Sequence, residues 1–360
     1  MDSTIDFSMD RWDRVKESHR LWWANELERP LIHVVLHGAP SRRAPARHSF
    51  KSFSAFYGNE VTADEVVDSW DALLSGCHWL GDGFPGIFPN FGPGVLAAFL
   101  GCRMENGTDT VWFHPPSNHE LKDLRLTLDP GNPAFLRVRD LMDTAARRWQ
   151  GQVQVAMADI GGNLDVVSSF RPSEQLLLDL YDCPQEVKRL AWEVHRTWWE
   201  SFESLAKAAN PNPGYSTWCP VFSEKPMYIL QCDFCYMIGP EMFDEFVKPE
   251  LAASAKRLTH SIYHLDGPGQ LPHLDSLLTI PELDCVQWIP GDGQPDMTQW
   301  PQVYRKIHAA GKKIQVYGLD ALDAVSRQIG TARGIVAIVG GHIDEEAAIR
   351  ERLKTYGVDP

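Results

Sequence analysis

Four short runs in the C-terminal third decide the fold: Ser261-Ile-Tyr-His-Leu265, Asp284-Cys-Val-Gln-Trp-Ile289, Lys313-Ile-Gln-Val-Tyr317 and Ile335-Val-Ala-Ile-Val339. They are rich in β-branched and aromatic residues, and they begin 23, 29 and 22 residues apart. That interval leaves room for one helix between successive strands. The intervening segments have helical spacing, with Leu271, Leu274, Leu277 and Leu278 in one and Val303, Tyr304 and Ile307 before a Gly311 stop in another. Strand and helix alternating at this period form the βα unit of a parallel sheet.

Toward the N-terminus, further strand candidates are Leu31 to Leu36, a weaker Gly76 to Leu80, Val153 to Met157 and Tyr215 to Cys219, which brings the total to eight. Amphipathic helices are predicted over Ala63 to Leu74, Pro133 to Trp149, Pro184 to Ala209 and Pro240 to Leu258, three of them opened by a proline whose fixed φ suits a helix start. Eight strands with intervening helices in 360 residues predict an α/β fold, a single (β/α)8 TIM barrel over 1–360. A doubly wound open sheet is the runner-up. Two excursions break the rhythm: residues 83–150, predicted as a lid-like insertion after strand 2, and Pro220 to Pro240, read as a long loop.

Composition narrows the function. Charged residues at 23% and hydrophobic ones at 44% are those of a globular chain. A net charge of -14, with the densest basic stretch confined to Ser41 to Arg47, argues against nucleic acid and anionic membrane as partners. The start Met-Asp-Ser-Thr-Ile-Asp lacks the regions of a signal peptide and no apolar run approaches the ~20 residues of a membrane span, so a soluble cytoplasmic protein is expected. Seven cysteines, an odd number, read as reduced thiols, and thirteen tryptophans as core and cavity wall. The pair Cys232 and Cys235 has no second CxxC and reads as incidental. There is no phosphate-loop spacing and no Gly-x-Ser-x-Gly elbow.

In a βα barrel the C-terminal strand ends face the active site. Those ends are His37, Asp82, Asp159, Trp218 with Cys219, His264 with Asp266, Trp288 and Asp292, Tyr317, and His342. On a strand, positions i and i+2 point the same way, so His264 and Asp266 can offer a nitrogen and an oxygen to one divalent ion. His342, at the end of the last strand, is the expected third ligand, leaving an open coordination position. The plainer alternative has His264 and Asp266 bonded to each other or to backbone, with Asp266 a turn residue before Gly267-Pro268-Gly269.

The segment from Gln231 to Glu250, with Asp233 followed by Gly239-Pro-Glu-Met-Phe-Asp-Glu-Phe-Val-Lys-Pro249, resembles the Asp, then Ser-Pro-Glu-x-Phe-x-Glu-Phe-x-x-Pro segment of the uroporphyrinogen decarboxylase superfamily. That superfamily has a (β/α)8 barrel and includes zinc methyltransferases that move methyl groups from corrinoid proteins to thiols. His264-Leu-Asp-Gly-Pro268 falls where those methyltransferases carry His-x-Cys-Gly-Asn, Ile338 to His342 falls where they carry a further cysteine, and Asp82 falls where the decarboxylases carry a catalytic aspartate. The decarboxylases' Arg-Gln-Ala-Gly-Arg segment is replaced by His37-Gly-Ala-Pro-Ser-Arg-Arg43, which sets the chain nearer the methyltransferases.

The resemblance implies a metal-dependent methyltransferase of the corrinoid-linked type acting on a small molecule. The metal would sit on His264, Asp266 and His342, zinc first and iron or manganese next, since a His/Asp/His set is harder than His/Cys/Cys. Asp82 and Tyr317 would act as catalytic groups; Trp218, Asp233 and Trp288 would bind substrate. A corrinoid protein would be the partner, because no cobalamin-binding module is evident. Two other readings stand beside this one: a metal-free decarboxylase-like lyase using Asp82, and a non-catalytic barrel binding a small ligand.

Overall fold

The computed structural model describes residues 5–117 and 120–359. Its strands in chain order are β1 (Leu31–His37), β2 (His78–Gly81), β3 (Gly86–Ile87), β4 (Arg103–Asn106), β5 (Val111–His114), β6 (Gln154–Val155), β7 (Met227–Leu230), β8 (His260–Asp266), β9 (Cys285–Ile289), β10 (Lys313–Tyr317) and β11 (Ile335–His342). The main sheet has the order β2-β1-β11-β10-β9-β8-β7. From β1 round to β7 every neighbouring pair is parallel, and only β2 runs the other way. A second pair, β3 with β6, is parallel, and β4 with β5 forms an antiparallel hairpin. The chain is thus a mixed α/β fold built on a large, mostly parallel sheet.

Local chemistry explains the elements. β1, β9, β10 and the first part of β11 are buried along nearly their whole length, as expected for strands covered on both faces. The helix Ala63–Leu74 is opened by a capping box in which the Thr62 side chain accepts from the Glu65 N–H while Glu65 returns to the Thr62 N–H. Pro133 follows an Asn132 cap that accepts from Ala134 and Phe135, and Pro184 opens the helix Pro184–Ala208. Most tryptophans, including Trp12, Trp22, Trp70, Trp198 and Trp288, are buried in the core. No described helix is long and apolar enough to cross a membrane.

Three strand assignments change. The expected parallel strand at Gly76 to Leu80 is β2, antiparallel to β1, with His78 opposite Leu36 and Gly81 opposite His33. Its C-terminal end therefore points to the edge where β1 begins. Tyr215 to Cys219 is no strand: Tyr215 makes one bridge to Ser223, and Pro220, without an N–H, follows at once. The strand in that region is β7, inside the stretch read as a loop.

Residues 83–150, expected as a lid, divide in two. β3, the buried helix Leu96–Phe99 and the helix Pro133–Trp149 join the body, the last packing on Ala63–Leu74 and Pro184–Ala208. The β4–β5 hairpin is the part that stands out, with Arg103, Glu105, Asn106 and Trp112 exposed.

Candidate functional site

The site begins with the alternation of β8. His264 and Asp266 share one face, half-buried, while Tyr263 and Leu265 turn to the other and are fully enclosed. Asp233 comes from the adjoining β7: the chain leaves that strand at Leu230 and enters a 3-10 turn, Asp233–Met237. One ligand atom from each of Asp233, His264 and Asp266 lies within 4.8 Å of the others. The turn is pinned from beneath by Asp165, whose carboxylate accepts the backbone N–H groups of Asp233 (3.0 Å) and Phe234 (2.7 Å). Gly162, just before the helix Asn163–Phe170, permits this approach, since a Cβ there would lie 2.2 Å from the Gln231 carbonyl oxygen.

The electrostatics are those of a site short of positive charge. Asp159 is buried and accepts from the Gly161 N–H (2.9 Å) and the Gln231 amide (3.1 Å), yet burial still pushes its carboxyl up to about 6. Burial, and then the charge of Asp233, raise Asp165 above the usual carboxylate range. Asp233 is raised as well, by the crowding around its carboxyl and then by Asp266 and Asp159. Among the described residues no lysine or arginine pairs with any of these four acids. Four carboxylates around one imidazole are the environment that a divalent cation relieves.

His264 is held by a chain of side chains across the neighbouring strands. β8 and β9 pair so that His264 lies opposite Gln287, and the Gln287 carbonyl oxygen is hydrogen-bonded to His264 Nδ1. The Gln287 amide nitrogen donates to the Tyr317 hydroxyl (3.0 Å), which in turn faces Cys219 Sγ (3.9 Å). An amide oxygen only accepts, so His264 Nδ1 is the donor in this bond. Burial pushes the Cys219 thiol up to about 12 and raises the Tyr317 phenol, so both stay protonated.

The other expected residues fall in different places. Trp218 lies beside the site, its ring centroid 6.2 Å from that of His264 and 6.1 Å from Tyr228, and it lines a cavity of about 180 Å³ with His33, His37 and Phe88. Trp288 does not face the site. It follows Gln287 on β9 and so points to the opposite face, buried against Trp300 at 5.1 Å.

Asp82 lies at the opposite end of the sheet, because β2 runs antiparallel. It is gripped by Arg29 through two hydrogen bonds (2.7 and 2.8 Å) and accepts the Ile32 N–H (2.9 Å). His342 is exposed at the end of β11, over Gly38, and its Nδ1 contacts Asp344 (3.0 Å). In the sheet β9 and β10 stand between β11 and β8, and His342 is not part of the group formed by Asp233, His264 and Asp266. The supports Gln287 and Asp165 were not singled out in the sequence. For Gln287 a signal was present: a polar residue in the middle of the apolar run Cys285 to Ile289 needs a partner.

A cleft of about 600 Å³ opens beside Asp233. Asp165, Asp233 and Phe234 line it from below, and Trp112, Phe113 and His114 of β5 line it from the hairpin.

No family model and no curated protein sequence matches the chain. Among solved structures, a methyltransferase from Methanosarcina mazei is similar over 82% of this chain and 86% of that one, at 12% identity and a TM-score of 0.55. Macrophomate synthase is matched over 62% of this chain and 71% of that one, at 13% identity and a TM-score of 0.25. The likeness to the Methanosarcina protein is one of fold.

Proposed function

We propose that the chain is a metal-dependent methyltransferase of the corrinoid-linked type, in the uroporphyrinogen decarboxylase superfamily and nearer its methyltransferase members. The reading takes the two parallel sheets as one (β/α)8 barrel in which β3 and β6 fill the gap between β1 and β7. It is supported by the cavity that both sheets line, with His33 and Val35 of β1 facing Ile87 of β3 and Ala156, and by the Ile160 N–H bonded to the Tyr228 hydroxyl of β7 at 2.8 Å. The likeness of fold to a methyltransferase agrees with it.

The observation that carries the proposal is the convergence of Asp233, His264 and Asp266 at the C-terminal strand ends, beside a cleft. These three residues would hold a divalent ion, zinc first with iron(II) and manganese(II) next, which would supply a Lewis acid to lower the pKa of a thiol acceptor. Asp233 takes the part first expected of His342. Gln287 keeps His264 Nε2 directed for coordination, Asp165 holds the Asp233 turn, and Trp218 gives an apolar wall. A corrinoid protein docking at the mouth would carry the methyl group. The lyase reading depends on Asp82, which is held by Arg29 in a salt bridge at the far end of the sheet.

The test is metal loading under anaerobic conditions followed by elemental analysis. The wild-type protein is expected to hold one equivalent, and His264→Ala and Asp233→Ala to lose it with unchanged circular dichroism. Full retention of metal in both variants ends the proposal.

A further inference from the structure

We propose that the arginine-lined cleft at the end of the sheet opposite His264 binds a small dianion of the phosphate type. The cleft shares no residue with the Asp233, His264 and Asp266 group, and the binding stands independently of the methyltransferase reading.

The chain carries 48 acidic residues against 34 lysines and arginines, yet this cleft of about 270 Å³ gathers Arg11, Arg14, Arg29 and Arg350 against two acids, Asp82 and Asp359. Arg11 and Arg14 stand three residues apart on the helix Met9–Trp23 and so share a face, while Arg350 comes from the helix Glu346–Thr355 near the other end of the chain. Asp82 is already committed: it neutralises Arg29 and accepts the Ile32 N–H. Asp359 lines the cleft but forms no ion pair among the described residues, so the other three arginines keep their charge.

These three also keep donors. Among the described residues no ion pair or hydrogen bond engages the Arg14 guanidinium, which leaves its N–H groups to solvent or a ligand. Arg11 spends one nitrogen on the Trp79 carbonyl (2.6 Å) and rests over the Phe7 ring at 4.5 Å, so it is fixed in place without an ion pair. Arg350 gives two nitrogens to Glu346 (2.6 and 2.8 Å) and keeps the third. Burial first, and then the like charge of Arg14, lowers the Arg11 pKa; Asp6 opposes this, though it is itself paired with Arg42, and Arg350 adds to it. Guanidiniums that repel one another around a cleft are the environment that an anion relieves. A cation would add to the repulsion, and a neutral ligand would leave it as it is. Because the donors come from two helices, they reach an anion from more than one direction. A tetrahedral phosphate offers oxygens to each, whereas a carboxylate offers two in one plane. The volume is at the small end for ligand pockets, which suits so compact a group.

Titration calorimetry with inorganic phosphate, at about pH 8 and constant ionic strength, is expected to give saturable binding, and malonate, a carboxylate dianion, to bind at least about fivefold more weakly. Arg14 is exposed, so its replacement leaves the core intact. Arg14→Gln should weaken phosphate about tenfold, the worth of one charge-assisted hydrogen bond, with an unchanged melting curve, and Arg350→Gln should weaken it comparably. Arg47→Gln removes the same charge from an exposed arginine paired with Glu65 and should leave the affinity as it was. The titrations are run on metal-loaded and chelator-treated protein and on His264→Ala, all of which should bind phosphate alike, because a phosphate held by an ion at the Asp233 site would be lost from the last two. Absence of saturable phosphate binding, malonate bound as tightly, or full affinity in both Arg14→Gln and Arg350→Gln overturns the proposal. So does an Arg47→Gln protein weakened as much as Arg14→Gln, or binding that disappears with the metal. Phosphate bound by a protein that takes up no metal keeps this site and removes the metal reading; metal bound without phosphate does the reverse.

Discussion

Replacing Asp82 separates a structural acid from a catalytic one. Asp82 is 3% exposed and receives three hydrogen bonds, two from the Arg29 guanidinium and one from the Ile32 N–H. Asp82→Asn keeps the shape and removes the charge, which leaves Arg29 without its counterion. Breaking one side of a buried ion pair costs about 3–5 kcal/mol. The Arg29 side chain is 23% exposed and can be rehydrated, which puts the expected loss near the low end, about 3 kcal/mol. For 360 residues the unfolding entropy is about 0.75 kcal/mol/K, so the melting temperature should fall by about 4 °C.

Urea denaturation gives the free energy, and metal content and methyl transfer are measured on the same preparation. The expected protein is less stable, loads metal normally and keeps its turnover below the new melting temperature. A variant of wild-type stability that has lost activity refutes the reasoning. It would put Asp82 back among the catalytic groups and the antiparallel pair β1–β2 in the wrong direction.

Gln287→Leu should lower metal affinity about 10- to 100-fold in a chelator competition, because the support that aims His264 is gone, while Gln287→Glu, which still accepts from Nδ1, should lose far less; equal affinities in all three proteins would remove Gln287 from the site. Two buried histidines govern acid stability: burial pushes His19 down to about 4 and His33 down to about 3, so both are neutral in the fold and protonate on unfolding below about 6.5. A depressed folded pKa means that their contribution is complete above pH 6.5 and is lost as pH falls toward 4. Replacing His33 with glutamine should therefore flatten the dependence of unfolding free energy on pH by about 1.4 kcal/mol per unit in that window, and an unchanged slope in urea titrations at pH 4.5 to 6.5 would contradict it.

The sequence made β8 readable because period two is the property of a strand that sequence states directly. His264 and Asp266 had to share a face, and they do. What it did not state is which neighbour would meet them. Asp233 is only a short turn beyond β7, and β7 is four residues, Met227–Leu230, entered from Pro226 in a stretch whose strongest local features are turns. His342 ends a strand as well, but a shared strand end is a whole rim. The sheet order sets β9 and β10 between β8 and β11, and His342 finds its own partner in Asp344.

The exchange of Trp288 for Gln287 has a different physical origin. A strand covered on both faces has no polar side to mark its phase, so Cys285-Val-Gln-Trp-Ile289 reads equally well in either setting. The phase is fixed by the register with β8, which sets His264 opposite Gln287 and Leu265 opposite Trp288. Once that pairing is known the chemistry follows: an amide in the middle of a buried strand needs two partners, and it finds the imidazole on one side and the Tyr317 hydroxyl on the other. The direction of β2 belongs to the same class. The run His78–Gly81 is apolar enough for a strand in either direction, and only the Gly81 pairing with His33 carries Asp82 to the end where Arg29 waits. Residue types told which groups were costly to bury; pairing, which is a property of two segments at once, decided where each was satisfied.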